Sequence, residues 1–499
     1  MSKKIIFYIL GILLLIGLGI GIYYYFNKND INTINIDKII AENTFSVIDE
    51  DSDIDWTNYK QENITLNDKS ITIDSEGIYT INGKISNGSI TINTDGNVKL
   101  ILNNVEVTNN SGPAIIIDNA KNTIIELADN SVNTLIDGES YTNEEYDGCI
   151  YSADDLILTG NGKLIIKANY QDGIVSKDDL KIVSGNYEIT AKDDAVRGKD
   201  SVYIVNGKFD ITSTGDGIKT TNDTDTDKGN IKIDNGTFKI KSSGDAIQAE
   251  NKLVIENGTF EITTATGATI NETGKQFFNQ KTTTNDTSAK GIKAGNNLII
   301  YNGTFNINSS DDSIHTNGDL TITNGTFNLK SSDDAVHADG LIQIDGGSFD
   351  IISSEGIEAT YIKINDGEII INASDDGINA ANKSNNYKTT IEINGGSITI
   401  KMGQGDTDGI DSNGNIYING GTVNITANSP FDYDGEAKYN GGTLIVNGEK
   451  TTTITNQMMG GGMMARGNIQ QDDNMPNNNV NNQGREARGG MQGRRQQQQ

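Results

Sequence analysis

Pairs of aspartates recur at a fixed spacing in the middle of the chain. Asp311-Asp312 is followed 22 residues later by Asp333-Asp334. A repeat of this length is typical of stacked solenoids, in which equivalent residues of neighbouring coils lie about 5 Å apart. Carboxylates that close raise each other's pKa unless a cation or hydrogen-bond donors intervene, and several hard oxygen ligands together suit Ca²⁺. The residues expected to hold Ca²⁺ are Asp193, Asp194, Asp311, Asp312, Asp333, Asp334, Glu355, Asp375 and Asp376.

The same turn position recurs along most of the chain, and we call this series the acidic ladder. An alternative to metal binding is that its side chains cap turn amides and face water. The predicted members of the ladder are Asp147, Asp172, Asp194, Asp216, Asp245, Lys290, Asp312, Asp334, Glu355, Asp376, Asp408 and Asp434.

A second series, the contact column, lies three residues after each ladder position and is expected to face outward. Hydrogen-bonding side chains at regular spacing along a flat face can hold an extended polymer. The basic end is suited to the carboxylates of an acidic sugar polymer, and bound Ca²⁺ to bridging others; the alternative is a solvated polar row. The column comprises Arg197, Lys219, Gln248, Lys293, His315, His337, Glu358, Asn379 and Asp411. We expect carbohydrate contacts from Arg197, Lys219, Lys293, His315, His337 and Glu358.

The two histidines of the chain, His315 and His337, share the contact column. A stacked pair is compatible with a metal site, a general base or polar surface contacts. Two histidines are too few for a dedicated zinc site without help from carboxylates. We therefore interpret them as polar surface contacts.

The elements that position these residues are short strands. Apolar and polar residues alternate in Thr321–Thr323 and in Gly325–Leu329, and Asn324-Gly325 and Gly346-Gly347 mark turns. Such strands bury their inner faces only when successive units stack as coils. The sequence therefore predicts an all-β, right-handed parallel β-helix.

Composition supports this class and excludes others. Three prolines and 56 glycines suit stacked strands and tight turns. The formal net charge of −29 repels nucleic acid, so we expect no nucleic-acid partner. The single cysteine, Cys149, excludes a disulfide framework and is expected to be a buried core residue.

The chain divides into four predicted segments. Residues 1–27 form a cytoplasmic start and a signal-anchor, because Lys3 and Lys4 precede the apolar run Ile5–Phe26, which is long enough to cross a bilayer once. Residues 28–60 are an acidic stem, 61–456 the β-helix, and 457–499 a disordered tail rich in Met, Gly, Gln and Arg. We expect the β-helix to be extracellular at the cell membrane. A loop is expected at Gly267–Ser288.

Several strings in this chain resemble a bacterial family of carbohydrate-binding domain-containing proteins, over about residues 95 to 446. They are SAKGIKAG (Ser288–Gly295), SSDDAVHADG (Ser331–Gly340), SSEGIEATYIKINDGEIII (Ser353–Ile371), SDDGINAA (Ser374–Ala381), DGIDSNGNIYINGGTV (Asp408–Val423) and FDYDG (Phe431–Gly435). The resemblance implies a parallel β-helix similar in fold to polysaccharide lyases, with bound Ca²⁺ and a polysaccharide ligand such as cellulose or pectic polymers, but without lyase activity. It also implies metal or ligand roles for the Asp-Asp and Glu-Gly-Ile-Glu positions.

We interpret the chain as a membrane-anchored surface protein that binds Ca²⁺ and an extracellular polysaccharide without catalysis. One tryptophan and 6% aromatic residues favour an acidic glycan over crystalline cellulose. A Ca²⁺-dependent polysaccharide lyase is the first alternative, with Lys290, Lys293 or Arg197 as the base. A structural spacer or adhesin for a protein partner is the second.

Overall fold

The computed structural model describes residues 54–269, 288–403 and 407–457. The predicted anchor, most of the stem, most of the loop Gly267–Ser288 and nearly all of the predicted tail lie outside these residues. Within the described ranges, no helix has the length and apolar character needed to cross a membrane. The helical structure described here is one 3₁₀ turn, Trp56–Asn58, ahead of the first strand.

The described residues form a parallel β-helix, as the repeat predicts, with three strands in most coils. Each strand pairs in parallel with its equivalents in the preceding and following coils, which gives three long sheets. Two long strands, Asp334–Ile344 and Glu355–Ile364, turn the corner from the first sheet into the second. Gly77–Ile85 and Asn97–Thr108 similarly join the second sheet to the third.

The first sheet carries the ladder and the contact column. Besides the first halves of Asp334–Ile344 and Glu355–Ile364, its strands are Ile71–Ile73, Ile90–Asn93, Ile115–Asn119, Gly148–Ser152, Asp172–Ser176, Val196–Gly198, Ile218–Thr220, Ile247–Ala249, Ile292–Ala294, Ile314–Thr316, Ile378–Ala380, Asp408–Ser412 and Ser429–Tyr433.

The second sheet follows it in each coil. Besides the first halves of Gly77–Ile85 and Asn97–Thr108 and the second halves of the two corner strands, it contains Gln61–Asn67, Asn122–Leu127, Leu156–Gly160, Asp179–Ile182, Ser201–Ile204, Asn230–Ile233, Leu253–Ile255, Leu298–Ile300, Leu320–Ile322, Thr390–Ile393, Asn415–Ile418 and Ala437–Tyr439.

The third sheet completes the coil. It contains Val132–Ile136, Lys163–Ala168, Asn186–Ala191, Lys208–Ser213, Thr237–Ser242, Thr259–Thr264, Thr304–Ser309, Thr326–Ser331, Ser348–Ser353, Glu368–Ala373, Ser397–Met402, Thr422–Thr426 and Thr443–Val446, and ends in an antiparallel hairpin with Glu449–Thr451.

A stack of aromatic rings fills the core beneath the third sheet. Neighbouring rings lie 4.4–5.1 Å apart and nearly parallel. They are supplied by Tyr187, Phe209, Phe238, Phe260, Phe305, Phe327 and Phe349. The turn glycine two residues before each phenylalanine explains the repeated Asn-Gly pattern: Gly303 has φ of 140°, and a Cβ there would lie 2.9 Å from the Phe305 ring. Cys149 is buried in the same core, as predicted.

We expect the ring stack to be a main source of stability. Phe238, 1% exposed, lies between Phe209 and Phe260, so Phe238→Ala removes two ring contacts and leaves a cavity. This change is expected to lower the free energy of unfolding by about 3–5 kcal/mol, measured by urea denaturation. Its exposed neighbour Lys239 provides the control, because Lys239→Ala is expected to change that free energy by less than about 0.5 kcal/mol. Equal effects of the two substitutions would contradict this account.

Candidate cation and glycan site

The structure brings the acidic ladder into register over most of its length. Val196 pairs with Ile174 and Ile218, which places Asp194 between Asp172 and Asp216. The ladder residues of the following coils lie in register in the same way as far as Asp408. Two predicted members are wrong. Gly148 lies opposite Asp172, where Asp147 was expected, because the strand there begins one residue later than the motif suggests. Ser429 lies opposite Asp408, where Asp434 was expected, because that strand begins five residues earlier than the motif suggests.

One oxygen of most ladder carboxylates caps the next coil. The Asp172 Oδ1 accepts the Asp194 backbone N–H at 2.9 Å, and the Asp194 Oδ1 accepts the Asp216 N–H at 2.7 Å. Asp312 and Asp376 do the same for Asp334 and Asp408, at 3.0 and 3.2 Å. The predicted alternative of turn capping is therefore confirmed for this oxygen, but its second part, that the side chains face water, is wrong for Asp172, Asp194 and Asp312, which are buried. The other oxygen, Oδ2, remains available to the contact column.

The contact column is also in register. Arg197, Lys219, Gln248 and Lys293 pair in succession, and the series continues through His315, His337, Glu358 and Asn379 to Asp411. The expectation that the column faces outward is wrong, because its side chains are half-buried or buried, and His337, interpreted as a surface contact, is buried. Ladder and column together therefore form one continuous polar strip along the first sheet.

In the amino-terminal half of the strip, the column supplies the counter-ions of the ladder. The Arg197 Nε lies 2.7 Å from the Asp172 Oδ2. The Lys219 Nζ lies 2.8 Å from the Asp216 Oδ2 and 3.6 Å from the Asp194 Oδ2. Although burial opposes it, the adjacent carboxylates raise the pKa of both cations. Both cations therefore form ion pairs with carboxylates of the protein itself.

The middle of the strip follows the same arrangement. The Lys293 Nζ lies 3.0 Å from the Asp245 Oδ2. Lys290, in the ladder itself, reaches both the Asp311 Oδ1 and the Asp312 Oδ2 at 2.8 Å. Together with the hydrogen bond from His315, this overcomes burial and holds the pKa of Asp312 below its usual range.

The residues that precede the ladder lie beside it. Asp193 and Asp333 are exposed, whereas Asp311 and Asp375 are half-buried. Carboxylate oxygens from Asp172, Asp193 and Asp194 lie within 4.8 Å of one another, as do those from Asp311, Asp312 and Asp333.

In the next two coils the column residues are histidines. His315 Nδ1 lies 2.8 Å from the Asp312 Oδ2. His337 Nδ1 lies 2.6 Å from the Asp334 Oδ2 and 3.1 Å from the Glu358 Oε2. Burial opposes protonation of His337, but the hydrogen bonds to Asp334 and Glu358 prevail and raise its pKa to about 10.

The carboxyl-terminal end of the strip differs from the rest. In the described ranges, no salt bridge reaches Glu355, Asp376 or Asp411. Burial, followed by repulsion from neighbouring carboxylates, raises the pKa of Asp376 to about 8 and that of Asp411 to about 6. Burial likewise raises the pKa of Glu355 to about 7. Among the described residues, this end therefore holds three carboxylates that make no salt bridge, and the cation next to them, Lys383, pairs with Glu358.

A buried amide oxygen lies in the same place. Asn379 is 9% exposed, and its Nδ2 donates to the Glu355 Oε2 at 3.0 Å and to the Glu358 Oε1 at 3.2 Å. Its Oδ1 has no hydrogen-bond partner among the described residues. On the following coil, Asp411 is the register partner of Asn379. A buried unpaired oxygen costs free energy unless a donor or cation meets it.

Comparison with known proteins identifies the family. The model of the carbohydrate-binding domain-containing protein family matches residues 67–335, 318–359 and 336–489, which is most of the chain. The chain belongs to this family. The resemblance in the strip motifs is thereby confirmed, and binding of carbohydrate is the activity that the family name describes.

Two relatives show how far the likeness extends. A carbohydrate-binding domain-containing protein of Acetivibrio thermocellus is 35% identical over 135 residues, which cover 26% of this chain and 47% of that protein. The match thus spans about half the length of this curated relative. A solved structure of the polysaccharide lyase-like protein from C. thermocellum, a gadolinium derivative, is 34% identical and has a TM-score of 0.39, covering 40% of this chain and 84% of that one.

Sequence reasoning missed several residues of the strip. Asp172 and Asp245 were in the ladder but were not predicted as ligands, and Asn379 and Asp411 were in the column without an assigned role. A comparison of charge signs along the column would have found the last two, because the cations end after His337. The loop residue Lys383 was also missed. Its Nζ lies 2.8 Å from the Glu358 Oε2 of the preceding coil, and the repeat pattern does not predict this contact.

Matched substitutions test the difference between ladder carboxylates that make a salt bridge and those that make none. Asp216→Asn and Asp376→Asn both keep the Oδ1 acceptor for the next coil. Asp216→Asn loses the ion pair with Lys219 and is expected to cost about 1–3 kcal/mol. Asp376→Asn removes one of several crowded carboxylates, so we expect its melting temperature in EDTA at pH 8 to rise. A similar fall in the melting temperature of both variants would contradict this difference.

Proposed function

We propose that this protein binds an extracellular acidic polysaccharide through Ca²⁺, without catalysis, at the carboxyl-terminal end of the strip. The observation that carries the proposal is the buried, unpaired Oδ1 of Asn379 on a stretch of the strip where Glu355, Asp376 and Asp411 make no salt bridge among the described residues, in a chain of a carbohydrate-binding family. Ca²⁺ takes six to eight oxygen ligands from carboxylates, amide oxygens and water. The donors present fit that requirement.

The ion supplies the positive charge that this end of the strip lacks. Asp376, Asp411 and the Asn379 Oδ1 would hold it from two successive coils, with Asp408 beside them in register. Carboxylates of an acidic glycan would complete its ligands. The predicted ligands in the ladder from Asp193 to Asp334 remain proposals as well, but protein cations already lie against Asp194, Asp311, Asp312 and Asp334.

Carbohydrate contacts are proposed for the contact column. Arg197, Lys219, Lys293, His315, His337 and Glu358 line the same face, so a glycan held at one end can continue along it. Their ion pairs with the ladder favour hydrogen bonds to sugar hydroxyls, since their charges are already balanced. Ca²⁺ is then the principal contact for a sugar carboxylate.

The charge states of the candidate bases favour binding over elimination. A lyase base must lose its proton at the working pH. Adjacent carboxylates outweigh burial and raise the pKa of Lys290 and Arg197, which is the opposite direction. We further propose that Ile5–Phe26 anchors the chain with the β-helix outside the cell, where such polymers occur.

The test is Ca²⁺ binding and glycan retention by the full-length chain in mild detergent. After removal of metal with EDTA, added Ca²⁺ is expected to raise the melting temperature, and insoluble polygalacturonate to retain the protein only when Ca²⁺ is present. Asp411→Asn is expected to weaken Ca²⁺ binding at least tenfold. Asp210→Asn, which removes an exposed carboxylate from the third sheet, provides the matched control and is expected to leave both measurements unchanged.

Three outcomes would contradict the proposal in different ways. Retention on cellulose without Ca²⁺ would indicate a neutral glycan ligand. An ultraviolet-absorbing unsaturated product from polygalacturonate would identify a lyase. No change in melting temperature with Ca²⁺ and no retention on any glycan would favour a spacer or adhesin.

A further inference from the structure

The two histidine rings of the strip each lie between oxygen acceptors. His337 has the Asp334 and Glu358 carboxylates at Nδ1 and the Asp339 Oδ1 at Nε2, 3.3 Å away. On the preceding coil, the His315 Nδ1 faces Asp312, and its Nε2 lies 2.9 Å from the Asn317 Oδ1. A neutral imidazole has only one N–H donor. A neutral His337 ring therefore cannot donate to the carboxylates on both of its sides, and either a second proton or a metal ion at Nδ1 would meet them.

A metal ion at the His337 Nδ1 would take the place of the second proton on that ring. The ring centroids of His315 and His337 are 4.7 Å apart with 14° between the planes, so two imidazolium ions would stack face to face. At His337, a single Nδ1–H would also have to serve two converging carboxylates. A divalent ion at Nδ1 meets both carboxylates at once and leaves Nε2–H for Asp339. Metal-bound histidines commonly donate the other ring N–H to a carboxylate in this way.

We propose that Asp334, His337 and Glu358 bind one divalent ion of the zinc class, through Oδ2, Nδ1 and Oε2, and that Asp339 orients the His337 ring. Imidazole together with carboxylates suits Zn²⁺, whereas Ca²⁺ prefers oxygen ligands alone. The site is thus chemically distinct from the oxygen cluster at Asp376 and Asp411. Three protein ligands leave a fourth position for water or a ligand oxygen.

The donor atoms need only small movements to accept the ion. All three side chains are buried, and the three atoms lie within 4.8 Å of one another. Zinc bonds of about 2.0–2.2 Å in a tetrahedron separate ligand atoms by roughly 3.4 Å. The present separations from the His337 Nδ1 are 2.6 and 3.1 Å. Lys383, 36% exposed, can withdraw from the Glu358 Oε2 into solvent.

The test uses the full-length chain without a histidine tag, in mild detergent, with Ca²⁺ in excess to fill any oxygen site. Titration calorimetry with ZnCl₂ is expected to show one site. His337→Asn is expected to weaken Zn²⁺ binding at least 100-fold, and Asp339→Asn about tenfold. With Co²⁺ as a spectroscopic probe, the visible absorption bands of the wild-type complex are expected to vanish on addition of Zn²⁺ and to be missing in His337→Asn.

The matched control is His315→Asn, which removes the same residue type from the neighbouring coil of the same column. It is expected to change Zn²⁺ affinity less than threefold; a loss equal to that of His337→Asn would overturn this ligand set. The absence of Zn²⁺ binding by the wild-type chain would overturn the site itself. If His337→Asn fails to fold, Asp339→Asn, which keeps all three ligands, tests the site in its place, and unchanged Zn²⁺ affinity in that variant would overturn it. Ca²⁺-dependent glycan retention, measured on the wild-type chain alone, separates this failure from failure of the proposed function.

Discussion

The structure depends on in-register stacking of coils about 4.8 Å apart, which places like side chains on top of one another. For apolar residues this is favourable, and it gives the buried column of phenylalanines. For carboxylates it is costly, because each ladder aspartate stacks on another. The ladder is retained because its Oδ1 atoms cap the amides of the following turns, as Asp194 does for Asp216.

The repulsion between the stacked carboxylates is balanced by different residues at different positions along the axis. Lysine and arginine side chains, among them Arg197 and Lys293, balance the ladder from Asp172 to Asp312, and His337 lies against Asp334. Past His337 the column turns to Glu358, Asn379 and Asp411, which add negative charge or none. The fold itself does not require this change, since the strands pair in the same register throughout. This change in the column, and not a change in the fold, is what the proposed Ca²⁺ site depends on.

Much of this architecture could be predicted from the repeat. A spacing of 22 residues and alternating strands were sufficient to place His315 on His337 and Asp312 beside Asp334. The errors at Asp147 and Asp434 arose where the motif letters and the strand register differ, as at Gly148 and Ser429. The ion pairs were not predictable, because a period fixes which positions neighbour each other but leaves open whether a side chain leans outward or back onto the ladder. The unpaired oxygen of Asn379 depends on a rotamer and has no sequence signal.

The irregularity of the contact column has a consequence for how a polymer would bind. A column of identical side chains would offer an extended glycan the same contacts at every coil, so the chain could slide without loss. Here the side chains change from cationic at Arg197 to anionic at Asp411, and only a few coils offer oxygen ligands without a protein cation. A polymer anchored through a cation at those coils is held in one register, and the remaining column can then select among sugars by hydrogen bonding. In the proposed function, uniform stacking would provide the surface and the departures from uniformity would provide the specificity.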